Sequence, residues 1–303
     1  MGKLAFVFSG QGAQNVGMAK ELFDYSSQVK KMFSIADSIR PGTSDQCFNG
    51  PKEELDSTVN TQPCLFCANV AAAIVATQNN IVPDYIAGFS LGELCALYFS
   101  KVLSFEDAFK LVCKRAKLMH EAETKEKGAM LAILNSNKQD VFSLCEKFSC
   151  AYPANYNCPG QIVVSIKDSH VLDFSNEVKK LGAVIIKLPV SGAFHSPFMN
   201  SASDAIREYL SCFKFNSPLF PIYSNVTASL YDNNFIDLIS KQINHPVLWQ
   251  NTIENMIIDG VDTFIEIGVG QTLCKLIKKI DPSRKVLNIE DKESLNATIA
   301  AIR

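Results

Sequence analysis

The sequence predicts an α/β protein: a parallel sheet covered by helices, carrying a smaller inserted unit of ferredoxin-like order βαββαβ. Two strand-turn-helix passages predict the sheet. Residues 4–8 (Leu-Ala-Phe-Val-Phe) are apolar and break into Ser9-Gly10-Gln11-Gly12, with a helix following over residues 18–23. Residues 85–87 (Tyr-Ile-Ala) are also apolar and pass through Gly88-Phe89-Ser90-Leu91-Gly92 into helix formers as far as Phe99. Short apolar runs bounded by turn residues and joined to helices read as buried strands of such a sheet. A helical stretch beginning near Phe105 ends in a charged link over residues 121–127, and the insert follows from the order of patterns after it: strand 129–134, helix 138–148, strands 151–155 and 162–166, helix 169–181, strand 184–188. The expected division is a large domain of residues 1–126 and 193–303, and a small one of residues 127–192.

Composition bounds the function. With 303 residues and 47% hydrophobic content, the chain can bury a large core. Lys and Arg number 29 against 31 Asp and Glu, a formal net charge of -2, so no global charge recommends nucleic acid as a partner. The first apolar run is too short for a signal peptide, and no stretch reads as long enough to span a bilayer, so no membrane role is expected. Ten cysteines without a regular framework fit free thiols in a reducing compartment, the cytoplasm. Cys64-Leu65-Phe66-Cys67 has CxxC spacing but lies in apolar residues 63–76, which read as a buried helix, so no metal site is expected.

The second passage carries the chemistry. A serine between two glycines at a strand-to-helix corner is the nucleophile elbow of an α/β-hydrolase-like domain, and it lifts the Ser90 hydroxyl above the sheet edge. The Leu91 amide, at the helix start, then faces any oxyanion formed on an acyl group at Ser90. Read blandly, Ser90 is an N-cap, and a base and a second oxyanion donor are needed to decide. The Ser9–Gly12 loop lacks the lysine of a phosphate-binding loop, and the Gln11 amide, flanked by glycines, fits better as that second donor.

Residues 8–14 (Phe-Ser-Gly-Gln-Gly-Ala-Gln), Thr61-Gln62-Pro63 and Gly88-Phe89-Ser90-Leu91-Gly92-Glu93 together resemble the malonyl-CoA:acyl-carrier-protein transacylase family. The resemblance covers essentially the whole chain. It implies that Arg115 grips a malonyl carboxylate, a task suited to a guanidinium fork, with Met119 lining the same pocket. Without the resemblance, Arg115 beside Lys114 and Lys117 reads as a solvated helix face, and Met119 as core. Asn157 in Asn-Cys-Pro-Gly-Gln matches a family turn that shapes the site, or is an Asx turn before a hairpin.

His195 matches the family's catalytic histidine, at the return from the insert, and serves as the base for Ser90. In related polyketide domains a phenylalanine just before the histidine goes with malonyl over branched units, so the resemblance implies the same of Phe194, whose bulk leaves little room for an α-methyl. The family orients its histidine by a backbone carbonyl, for which Gln242 is the candidate; Asp204 and Glu266 are the alternatives if a carboxylate is used. Three departures stand out: Phe89 replaces a histidine that touches the substrate carboxylate, Val269 a proline, and Leu248 a polar or basic residue.

The implied activity is ping-pong transfer of malonyl from malonyl-CoA through Ser90 to the phosphopantetheine thiol of an acyl carrier protein, with no bound cofactor. Fatty-acid and polyketide synthesis both use this step, and Phe89 hints at a substituted malonyl or carrier-bound unit. An editing acyl hydrolase and a non-catalytic carrier-binding module are the alternatives from other classes; Arg115 speaks against the first, Ser90 with His195 against the second. A monomer is the simplest expectation.

Overall fold

In the computed structural model, which describes residues 2–302, the strands in chain order are β1 (Lys3–Phe8), β2 (Tyr85–Gly88), β3 (Gly128–Leu134), β4 (Ala151–Cys158), β5 (Gln161–Lys167), β6 (Val184–Lys187), β7 (Val261–Ile267) and β8 (Lys285–Ile289). β1 sits inside a parallel sheet of order β2-β1-β7-β8. Its side chains from Ala5 to Phe8 are fully buried on both faces, which is why its sequence shows no polar alternation. The carboxyl ends of β1, β2 and β7 lead into the Ser9–Gly12 loop, the Ser90 turn and the Gly268–Gly270 turn. One edge of the sheet therefore gathers three tight turns, where open α/β sheets place their ligands.

The second sheet is antiparallel, with order β4-β5-β3-β6. Taken with the helices Lys138–Lys147 and Val171–Lys180, this is the ferredoxin-like arrangement, its central pair β3 and β5 buried against both helices. The α/β class, with one parallel and one antiparallel sheet, is what the sequence predicts. β4 meets the larger sheet's side of the molecule through two backbone bonds, Tyr156 N–H to Val247 O (2.9 Å) and Val247 N–H to Ala154 O (2.8 Å). These bonds fix the walls of the cleft between the two units.

Two expectations are corrected. The charged residues 121–127 are not a link, because the helix Phe105–Lys125 continues through most of them. Its last turns bury Ala122 and Glu123, and charges on the open face hide that periodicity. By length and composition the helix Thr58–Gln78, of 21 residues with an 18-residue stretch of mean hydropathy 1.4, is long and apolar enough to cross a membrane, contrary to the reading that no stretch was. It is a core helix of the fold, with 83% of that stretch buried, and it packs against the helix Phe105–Lys125.

Candidate active site

The turn after β2 is closed by steric necessity. A Cβ on Gly88 would lie under 3.0 Å from the backbone of Gly92, and one on Gly92 equally close to the Phe8 carbonyl. Only glycine lets the helix Leu91–Phe99 start this close to the end of β1. Ser90 between them takes φ 52° and ψ -104°, a strained conformation of the kind concentrated at functional turns. Asn225 holds it from both sides, accepting the Ser90 N–H at 2.8 Å and donating to Gly88 O at 2.7 Å.

His195 Nε2 lies 2.8 Å from Ser90 Oγ, and Nδ1 lies 2.8 Å from the main-chain oxygen of Gln242. A carbonyl only accepts, so Nδ1 carries the proton and Nε2 is left as the acceptor for the serine hydroxyl. Burial, reinforced by the Arg115 cation, lowers the imidazole pKa to about 4, so the ring is neutral at pH 7. Neither Asp204 nor Glu266 bonds to it. Glu266 instead accepts the Leu273 and Cys274 amides at a helix start, and its burial raises its pKa to about 7.

Arg115 is buried, not on a solvated face, and its guanidinium donates to Ser90 Oγ (3.1 Å), Gln62 Oε1 (2.7 Å) and Gln242 Oε1 (2.9 Å). Burial lowers its pKa to about 10, opposed by the negative charge of Glu93, so it remains a cation. Its Nε has no protein partner among the described residues. Met119 is linked to this cation through Gln62, whose Nε2 donates to its sulfur at 3.4 Å. Phe194 is buried in the main core, its ring against Gly192.

A cleft of about 250 Å³ runs between the two sheets to Phe89, walled by Gln11, Asn155, Asn157, Val190 and Leu276. Phe89 packs against Trp249 with ring centroids 5.4 Å apart and planes at 62°, so the side chain next to the nucleophile is an aromatic ring with no hydrogen-bonding group. Asn157 lies on β4 itself, and the turn after it is made by Pro159 and Gly160. The Leu91 and Gln11 amides donate no hydrogen bond among the described residues. Gln11 is held by its side chain, which donates to Thr58 Oγ1 at 3.2 Å.

Sequence reasoning gave no role to Gln62, Glu93 or Asn225. Gln62 is a polar residue beside an apolar run of its helix, and Glu93 an acid in a hydrophobic first turn; both are fully enclosed. That mismatch was the available signal. Asn225 had none, since its partners are 132 to 137 residues away.

A strained serine on a strand-to-helix turn, a neutral buried imidazole bonded to it and unbonded amides nearby define a protein built for acyl transfer through serine. Comparison with known proteins agrees. The acyl transferase domain model matches residues 5–298. The malonyl CoA-acyl carrier protein transacylase of Bacillus subtilis is 37% identical over 311 residues, covering 100% of this chain and 98% of that protein. The enzyme of that name from Staphylococcus aureus (strain MSSA476) is 38% identical, covering 97% and 98%. The crystal structure of the Clostridium perfringens transacylase superposes with a TM-score of 0.95 at 39% identity, covering 99% of this chain and 97% of that one. A malonyl-transacylase solved in complex with its holo type II polyketide acyl-carrier protein gives a TM-score of 0.95 at 31% identity, with 99% of both chains covered. This chain belongs to the malonyl CoA-acyl carrier protein transacylase family of acyl transferase domains.

Proposed function

We propose that the protein transfers a malonyl group from malonyl-CoA to the phosphopantetheine thiol of an acyl carrier protein. The observation that carries this reading is the Arg115 guanidinium 3.1 Å from Ser90 Oγ, a buried cation beside the nucleophile where the free carboxylate of a malonyl thioester would sit. His195 takes the proton from Ser90 as Oγ attacks the thioester carbon. The oxyanion is received by the Leu91 and Gln11 amides. The C–S bond breaks, the proton passes from His195 to the CoA sulfur, and the malonyl ester remains on Ser90. The carrier thiol then gives its proton to His195 and attacks the ester carbon; the C–Oγ bond breaks, the proton passes from His195 to Ser90 Oγ, and malonyl leaves as the thioester of the carrier.

In this reading residues 1–126 and 193–303 form the catalytic unit and residues 127–192 the inserted one. Phe89, Asn157, Met119 and Phe194 shape the acyl and thioester path, with Phe194 restricting branching at the α-carbon. The protein works as a monomer in the cytoplasm, a reducing compartment that suits ten unpaired cysteines.

Intact-protein mass spectrometry tests the proposal. Malonyl-CoA should leave a malonyl adduct on the wild type and none on Ser90→Ala, and holo carrier protein should then remove it as loaded carrier. An adduct lost to water without loading the carrier would make the protein a hydrolase instead.

A further inference from the structure

Glu93 is 1% exposed and lies one turn along the helix that Ser90 starts. Three donors converge on its carboxylate: Asn225 N–H (3.2 Å) and Tyr231 O–H (2.7 Å) on Oε1, and Gln242 Nε2–H (2.7 Å) on Oε2. Burial raises its pKa to about 7, so the fold encloses this acid at a cost that packing alone does not explain. Its partners are what explain it.

Gln242 is the residue whose main-chain oxygen holds His195 Nδ1. Its side-chain amide has Oε1 toward Arg115 and Nε2 toward both Ser90 O (2.6 Å) and Glu93. The carboxylate and the guanidinium thus allow one orientation of that amide, since a flip would set Nε2 against Arg115 and Oε1 against Glu93. Asn225 is the residue that brackets the Ser90 turn on both sides. One carboxylate therefore touches both supports, that of the base and that of the nucleophile.

Resting on the function proposed above, we propose that Glu93 is a positioning residue for the transfer reaction, acting on His195 through Gln242 and on Ser90 through Asn225. It holds the place of a triad acid at one remove: it orients the residue that orients the imidazole. A carboxylate is required because every group facing it donates. A carboxamide in its place would set its own N–H groups against one of those donors.

The test compares Glu93→Gln, Glu93→Asp and Tyr231→Phe with the wild type. Native folding is checked by circular dichroism, and the His195 ring nitrogens are observed by ¹⁵N NMR. Single-turnover malonylation of Ser90 from malonyl-CoA supplies the rate and the half-saturating concentration. Glu93→Gln should acylate about 10- to 100-fold more slowly, as outer-shell substitutions do, with half-saturation changed far less, and its His195 signals should leave the single Nδ1–H tautomer. Glu93→Asp, which keeps the charge, should recover part of the rate, and Tyr231→Phe should lose less than about tenfold.

Folded Glu93→Gln with wild-type rate and unchanged ring-nitrogen signals overturns the proposal. If that variant does not fold, Glu93→Asp and Tyr231→Phe decide in the same way, wild-type rates and spectra in both overturning it. A wild type that accepts no malonyl group sinks the transferase reading, and the His195 spectra then still decide whether Glu93 sets the tautomer.

Discussion

Ser90 and His195 both adopt left-handed backbone, φ 52° and φ 56°, and Oγ of the one lies 2.8 Å from Nε2 of the other. Non-glycine residues rarely hold this conformation without tertiary support. Asn225 supplies it for Ser90, and the Ile243 carbonyl, accepting the His195 N–H at 3.1 Å, supplies it for the base. The two strained residues are thus brought together from positions 105 apart in the chain.

Ser90→Ala should form no malonyl adduct while keeping the wild-type melting temperature, because the hydroxyl is removed and the turn remains. His195→Ala should still fold and acylate about 10²- to 10⁴-fold more slowly, the usual share of a general base, measured by rapid-quench mass spectrometry. Equal rates for His195→Ala and wild type would remove it as the base.

Arg115→Ala should lower the acylation rate with malonyl-CoA much more than with acetyl-CoA. A hydrogen bond to a charged group is worth about 1.5–3 kcal/mol, so the malonyl-to-acetyl ratio of kcat/KM should fall about 10- to 150-fold. Arg115→Lys should restore the charge without the fork and recover only part of that ratio.

His195 has a pKa of about 4 because burial, and then the Arg115 cation, disfavour its charged form. In an NMR titration its ring should therefore stay neutral from pH 7 to about pH 5 and gain its proton near pH 4. Arg115→Gln removes a like charge, so the midpoint should move upward, toward the ordinary histidine value of about 6.5. A downward or absent shift would contradict the coupling between these residues.

Gly92→Ala should unfold or abolish soluble expression, since its Cβ would fall under 3.0 Å from the Phe8 carbonyl, where neither backbone has room to shift. Where soluble protein is recovered, urea melts should show a loss of at least about 3 kcal/mol, the upper end of typical core overpacking. Gly160→Ala is the control: its Cβ would meet nothing within 4 Å, so only the strain of φ 75° remains.

The sequence by itself determined the α/β class, the order of the inserted sheet and the location of the serine turn. These depend on local signals: apolar runs that end in glycine, and a period that switches between strand and helix. The nearby glycines of the Ser90 turn were legible for that reason, whereas the helix Phe105–Lys125 was read as ending too early because charges cover its exposed face. Tertiary structure alone decided the surroundings of Ser90. Arg115, which local pattern places on a solvated face, is buried against Gln62 and Gln242, 53 and 127 residues away. Glu93 became an enclosed acceptor only when Tyr231 and Gln242 closed over it. Burial and convergent donors are properties of packed neighbours remote in the chain, and a buried charge is stable only where that packing satisfies it, so no short stretch of sequence can specify them.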